Sequence, residues 1–188
     1  MSDKGRLFII SGPSGAGKST LIKGTLKNLS GFVKSISYTT RPIRHNELEG
    51  KHYQFVSEEQ FEDMVERDKF LEWARYSGYL YGTPAEFVNC KIRQGKNVIL
   101  EIDVRGAMQV KQKVKDVFMI FITLTCLSEI RDRLIGRGTD DEAEIEQRMA
   151  IAAREIKFKK HYDCIIVNNN YNEALSNLKE VLNSHKGR

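Results

Sequence analysis

Short apolar runs alternate along this chain with segments whose apolar residues recur every three or four positions. Leu7-Phe8-Ile9-Ile10 precedes a helical pattern over about 17–29, and the run 97–102 precedes one over about 105–114. The run 117–124 leads into 127–135, and 164–167 leads into 172–182. Strands that are apolar on both faces and separated by helices predict an α/β fold, with a parallel sheet covered on both sides. Between about 35 and 91 the pattern changes. Tyr38, Tyr53, Phe55, Trp73, Tyr76, Tyr79 and Tyr81 fall in short alternating segments, which predict an inserted, mostly antiparallel lobe. Residues 141–158 are strongly charged with helical periodicity and follow the break Gly136-Arg137-Gly138, so they predict a mobile helical arm. The expected division is a core over about 1–34, 92–126 and 159–188, a lobe over 35–91 and a lid over 127–158.

A length of 188 residues suits one domain with a small inserted lobe, and no repeat or low-complexity stretch points to a modular scaffold. The formal charge of +5 would admit a nucleic-acid partner. However, Lys and Arg are scattered, and small anionic nucleotides account for the surplus equally well. No nucleic acid and no membrane are expected as partners, because the apolar run at 117–124 is far too short to span a bilayer and the start lacks a signal-peptide pattern. Cys90, Cys126 and Cys164 are odd in number and widely spaced, without a CxxC pair. They predict buried free thiols and a reducing, cytoplasmic setting.

The chemistry begins directly after the first apolar run. Gly12-Pro13-Ser14-Gly15-Ala16-Gly17-Lys18-Ser19 fits GxxxxGK[ST] in the strand-before, helix-after setting that the pattern requires. Glycines let successive N–H groups turn inward onto phosphate oxygens, and the helix start adds its positive end. Lys18 then reaches the β- and γ-phosphates of a nucleoside triphosphate, and Ser19 offers a hydroxyl to a bridging Mg²⁺; Thr20 is a further hydroxyl without an assigned role. This loop is shared by kinases, GTPases and transporter ATPases, so it does not name a reaction.

Four other groups stand out. Arg41 and Arg44 flank Pro42 in a hydroxyl-rich segment, where two guanidinium forks suit a second phosphate, although an ordinary solvated basic turn has the same composition. Glu72 lies between Leu71 and Trp73, and alternation turns it to the opposite face. Such a Glu commonly faces solvent, but one carboxylate can also accept from both adjacent N–H donors of guanine, whereas adenine would oppose it with a lone pair. Glu101 and Asp103, two apart at a strand's carboxyl end, point to one side, where α/β sheets hold their ligands. Mg²⁺ organisation and substrate contact are the two roles open to them. Arg131, Arg133, Arg148 and Arg154 can pair with acidic neighbours along helices, while Arg137, between two glycines, can swing a cation onto a phosphate. Tyr53 and Tyr81 suit a core or a phosphate site alike.

Taken in order, the segments Gly12 to Thr20, Ser37 to Arg41 with Arg44, Gly50-Lys51-His52-Tyr53-Gln54-Phe55-Val56, Phe70-Leu71-Glu72-Trp73-Ala74, Tyr81-Gly82-Thr83, Leu100-Glu101-Ile102-Asp103 and Arg137-Gly138-Thr139 resemble guanylate kinases over essentially the whole chain. The resemblance implies Mg²⁺-dependent transfer of the γ-phosphoryl group of ATP to GMP, with dGMP as a further acceptor, in purine nucleotide metabolism. It implies that Glu72 reads guanine with Ser37 and Thr83 nearby, and that Arg41, Arg44, Tyr53 and Tyr81 hold the GMP phosphate. It further implies that Glu101 and Asp103 stand beside the acceptor, that Arg137 and Arg148 are lid arginines, and that Lys18, Arg41, Arg137, Arg148 and Asp103 serve catalysis. The chain departs from the family's usual pattern at Arg105, where Gln is common, and at Thr125-Cys126, where prolines are common. The alternative within the same fold is a protein-binding module whose catalysis has lapsed.

Overall fold

The structure, a computed structural model, describes residues 4–45, 47–76, 78–136 and 141–187. Its centre is a five-stranded, wholly parallel sheet built from β1 (Leu7–Ser11), β2 (Phe32–Lys34), β7 (Asn97–Glu101), β8 (Val117–Thr123) and β9 (Cys164–Val167), in the order β2-β7-β1-β8-β9. β1 lies in the middle because all five of its residues are apolar or small enough to be buried on both faces. One face packs Phe8, Ile10, Ile120 and Ile122 against α1 (Lys18–Leu26) and α7 (Tyr171–His185). The other packs Leu7, Ile9, Met119 and Phe121 against α3 (Ala85–Arg93) and α4 (Val104–Lys113). Alternate residues of one strand thus feed two cores, as a doubly covered sheet requires.

A second sheet, in the order β4-β3-β6-β5, comprises β3 (Tyr38–Thr39), β4 (Gln54–Phe55), β5 (Phe70–Tyr76) and β6 (Tyr79–Pro84). The β3–β6 and β5–β6 pairs are antiparallel and β3–β4 is parallel, so the sheet is mixed. Its small core stacks Phe61 on Phe70, with ring centroids 4.5 Å apart, beneath α2 (Glu58–Glu66). Ser57 and Gln60 start α2 with a reciprocal cap.

α5 (Leu127–Ile135) and α6 (Glu142–Ile156) form an antiparallel pair closed by Ile130, Leu134, Ile145 and Ala152, with Arg131 bridging Glu142 and Glu146. The charged segment expected as an arm is helical, but its far end is anchored. A 3₁₀ turn, Lys157–His161, follows α6, and Phe158 and Tyr162 pack into the core below the main sheet. The cysteines are free, as expected, but not buried: Cys126 is exposed, and Cys90 and Cys164 are half-buried.

Candidate active site

The loop after β1 carries φ values of 144°, 88° and 83° at Gly12, Gly15 and Gly17, so its backbone is curled with Gly17 capping α1. Position 17 has two reasons to be glycine: its left-handed φ, and the Asn168 carboxamide lying where a Cβ would go. Ala16 N–H donates to Pro13 O at 3.1 Å and closes the curl. Pro13 and Ala16 are buried, Ser14 half-buried, and Thr20 exposed. Lys18 Nζ donates to the carbonyls of Gly12 (2.6 Å) and Pro13 (3.0 Å), which folds the ammonium back across the mouth of the loop. From α6, Arg148 Nη1 reaches Ser14 Oγ at 3.2 Å, so this expected lid arginine does meet the loop. Arg137 lies outside the described residues.

Glu101 ends β7, one strand from β1. Its Oε1 accepts the Ser19 hydroxyl and its Oε2 lies 2.5 Å from Lys34 Nζ at the end of β2. Burial alone would raise its pKa, but Lys34, the Ser19 hydroxyl and the Lys18 charge outweigh it and hold the carboxyl below its ordinary range. An anionic oxygen therefore stands beside the loop hydroxyl. Among the described residues no group of three or more His, Cys, Asp or Glu side chains is arranged to hold a metal alone. That donor set fits a cation carried mainly by phosphate oxygens and water, as Mg²⁺ commonly is. Asp103 does different work, for its Oδ1 accepts from Gly106 N–H (2.8 Å) and caps α4.

Glu72 is not solvent-facing. It is only 4% exposed, whereas its neighbour Trp73 is 41% exposed. A bulge between Phe70 and Glu72 lets β5 turn Phe70 into the small core and Glu72 towards α4. Thr83 Oγ1 donates to Glu72 Oε1 at 2.5 Å, and Oε2 lies so near Gly106 that a Cβ there would have to displace it. Burial, reinforced by the Asp103 charge and opposed by the Thr83 hydrogen bond, pushes the carboxyl up to about 7. Ser37 is half-buried just before β3, and its carbonyl is held by Gln54 N–H.

Arg41, 8% exposed, gathers the aromatic residues of the same sheet. Its Nε donates to Tyr81 Oη at 3.2 Å, and its guanidinium stands over the rings of Tyr53 (5.6 Å) and Phe55 (5.9 Å). Tyr53 and Tyr81 meet edge to face at 5.8 Å, and burial pushes the Tyr53 hydroxyl up to about 12, so it remains a proton donor. Arg44 is exposed. The lobe therefore joins Arg41, Tyr53 and Tyr81 in one cluster and leaves Arg44 at its rim.

Three contributors escaped the sequence reading. Glu47 takes Arg41 Nη2 on both oxygens (2.7 and 2.9 Å) and Arg44 N–H at 3.0 Å. Although Glu47 is partly buried, these bonds hold its carboxyl below the usual range. Lys34 secures Glu101, and Asn168 holds the loop. The only sequence signal was an asparagine run, and each member has its own task. Asn168 donates to Ala16 O, Asn169 accepts from Thr125 N–H, and Asn170 caps α7. The unusual Thr125-Cys126 pair thus leaves the start of α5 well held.

A family profile described as guanylate kinase matches residues 4–185. A guanylate kinase of Thermotoga maritima is 44% identical over 185 residues, covering 98% of this chain and 89% of its own. One from Enterococcus faecalis is 45% identical, covering 100% and 93%. A crystal structure of guanylate kinase from Anaplasma phagocytophilum superposes with a TM-score of 0.79 at 29% identity, covering 97% of this chain and 86% of that one. On these matches, and on a fold that puts a curled phosphate loop beside an acidic strand end and an arginine-tyrosine lobe, this chain belongs to the guanylate kinase family.

Proposed function

We propose that this chain catalyses ATP + GMP → ADP + GDP, with Mg²⁺ bound alongside ATP. The observation that carries this reading is Glu72, a buried carboxylate on the same small sheet as Tyr81, whose hydroxyl accepts from Arg41 just after β3. Guanine offers N1–H and an exocyclic amino group side by side, and ionised Glu72 accepts from both. Adenine, with an acceptor at N1, leaves a buried anion unmatched. Thr83 already donates to Glu72 Oε1 and orients the carboxylate, and Ser37, one residue before the Tyr38–Gly82 pair, brings a further hydroxyl beside β6.

The acceptor phosphate is held by Arg41, Arg44 and the Tyr53 and Tyr81 hydroxyls. Because Tyr81 accepts from Arg41, its own proton is free to point at the phosphate. An acceptor phosphate oxygen attacks the γ-phosphorus, a new P–O bond forms, and the bond to the β–γ bridging oxygen breaks to release ADP. A phosphate monoester is largely dianionic near neutral pH, so the attacking oxygen needs no general base. Positioning and neutralisation of charge are what remain for the protein to supply. Lys18 exchanges the Gly12 and Pro13 carbonyls for β- and γ-phosphate oxygens, Arg148 approaches from α6, and Arg137 is assigned the same charge-neutralising role. Ser19 would hold Mg²⁺ together with phosphates and water, and the ion would screen the phosphate charges. Glu101 acts here through Ser19 and Asp103 through α4, which bears on the base pocket.

In this reading the chain divides into a core (1–34, 92–126, 159–188), a GMP lobe (35–91) and a lid (127–158) that closes to exclude water. The unpaired cysteines suit a cytoplasmic enzyme, and no helix among the described residues is long and apolar enough to cross a membrane. A lapsed adaptor is disfavoured by the intact Lys18, Ser19 and Glu72. The test is an ADP-release assay offering GMP, dGMP, AMP, UMP and CMP separately with ATP and Mg²⁺. GMP should be turned over at least about a hundredfold more efficiently than AMP. Equal use of AMP, or no ADP with GMP from folded protein, overturns the assignment.

A further inference from the structure

Asn168 stands at the end of β9, 152 residues from the loop it touches, and is only 4% exposed. Its backbone N–H donates to Thr123 O (2.8 Å), which continues the pairing of β9 with β8. Its backbone carbonyl accepts from Arg133 Nη2 of α5 (2.7 Å), and its side-chain Nδ2 donates to Ala16 O at 2.7 Å. Two of these bonds fix the residue to the sheet and to α5, and the third reaches the phosphate loop.

The Ala16 carbonyl and the Gly17 N–H belong to one peptide group. That group is planar and trans, so its C=O and N–H point in opposite directions. Drawing the Ala16 oxygen outward to Asn168 turns the Gly17 N–H inward, into the concavity where phosphate oxygens are received. The absence of a Cβ at Gly17 lets the carboxamide approach this closely. We propose that Asn168 is a positioning residue for the donor nucleotide, holding the Ala16–Gly17 peptide in the orientation that aims the Gly17 N–H at the triphosphate. The nucleotide then binds a loop that is already ordered and does not bear the cost of ordering it. The role rests on the proposed use of the loop for ATP phosphates and adds to it a residue from the far end of the chain.

The experiment compares wild type with Asn168→Ala and Asn168→Leu. The Leu variant keeps the volume and introduces neither donor nor charge, so it decides the matter if the Ala variant fails to fold. Binding of inorganic tripolyphosphate and of β,γ-imido-ATP, each with Mg²⁺, is measured by calorimetry beside binding of GMP. Both variants should bind tripolyphosphate and the ATP analogue about five- to tenfold more weakly, while GMP affinity stays within about twofold. In turnover, KM for ATP should rise without a matching rise in KM for GMP. Loss of the ATP analogue alone, with tripolyphosphate unaffected, overturns the proposal, because Asn168 would then contact the base or ribose. An equal loss for GMP also overturns it, because the effect would then be general loosening. These binding measurements need no catalysis, so a wild type that makes no ADP from GMP would remove the proposed reaction and leave this role intact.

Discussion

At the residue scale, Glu72 concentrates the consequences of burial. Its carboxyl is pushed up to about 7, so a guanine bound as proposed would have to expel a proton below that pH, and above it the carboxylate is ready. Guanosine, which lacks the separately titrating phosphate, should therefore bind with constant affinity above about pH 7.5 and lose about tenfold per unit below pH 7. Titration calorimetry between pH 5.5 and 8 checks this, and Glu72→Gln should bind weakly at every pH with no such slope. A slope that persisted in Glu72→Gln would assign the titration to another group. The phosphate loop could be read from spacing alone, since its glycines and lysine act through local backbone geometry. The burial of Glu72 could not, because it depends on a bulge in β5 and on Gly106 of α4 making room. Glu47 and Lys34 were equally hidden. Each is an ordinary charged residue until folding brings it against Arg41 or Glu101.

At the scale of elements, the long apolar strands and their following helices were legible. β9 at Cys164–Val167 and α5 at Leu127–Ile135 fall where periodicity put them. β2, β3 and β4 were not identified, because three or two residues are too few to show alternation. α2 and α3, only nine residues each, were submerged in a region read as strands. One junction between elements carries a prediction: the N-terminus of α4 packs on β5 through Gly106 and Glu72. Gly106→Ala adds a methyl group that overlaps the carboxylate and must push it aside. KM for GMP should then rise about tenfold or more, while binding of an ATP analogue, measured separately, stays unchanged. An unchanged KM for GMP would mean that the carboxylate does not have to hold this position.

At the scale of the whole molecule, a cavity of about 230 Å³ opens between the end of β5, the start of α4 and the last turns of α6, lined by Tyr76, Asp103, Arg105, Arg154, Glu155 and Phe158 among others. Glu155 is 6% exposed and its Oε2 has no hydrogen-bond partner among the described residues. Burial, with Asp103 adding to it and Lys18 and Arg105 opposing, pushes its carboxyl up to about 7. An acid whose folded pKa is raised costs stability as pH climbs from its unfolded value near 4.5 to about 7, and the cost is constant beyond. Glu155→Gln should therefore be more stable than wild type by about 2 kcal/mol at pH 8, several degrees in Tm, and about equal to it at pH 4. Melting curves at the two pH values check both the sign and the size. The sheet itself has another consequence. The phosphate loop leaves β1 and Glu101 ends β7, and these strands are hydrogen-bonded neighbours with Ile10 opposite Glu101. The loop that carries Ser19 and the carboxylate that accepts its hydroxyl thus issue from strands one inter-strand spacing apart, about 4.8 Å, set by backbone hydrogen bonds and independent of side-chain identity. Mutational drift in the surrounding cores can repack the side chains about the loop, but it cannot carry the end of β7 away from the end of β1 without unzipping the middle of the sheet.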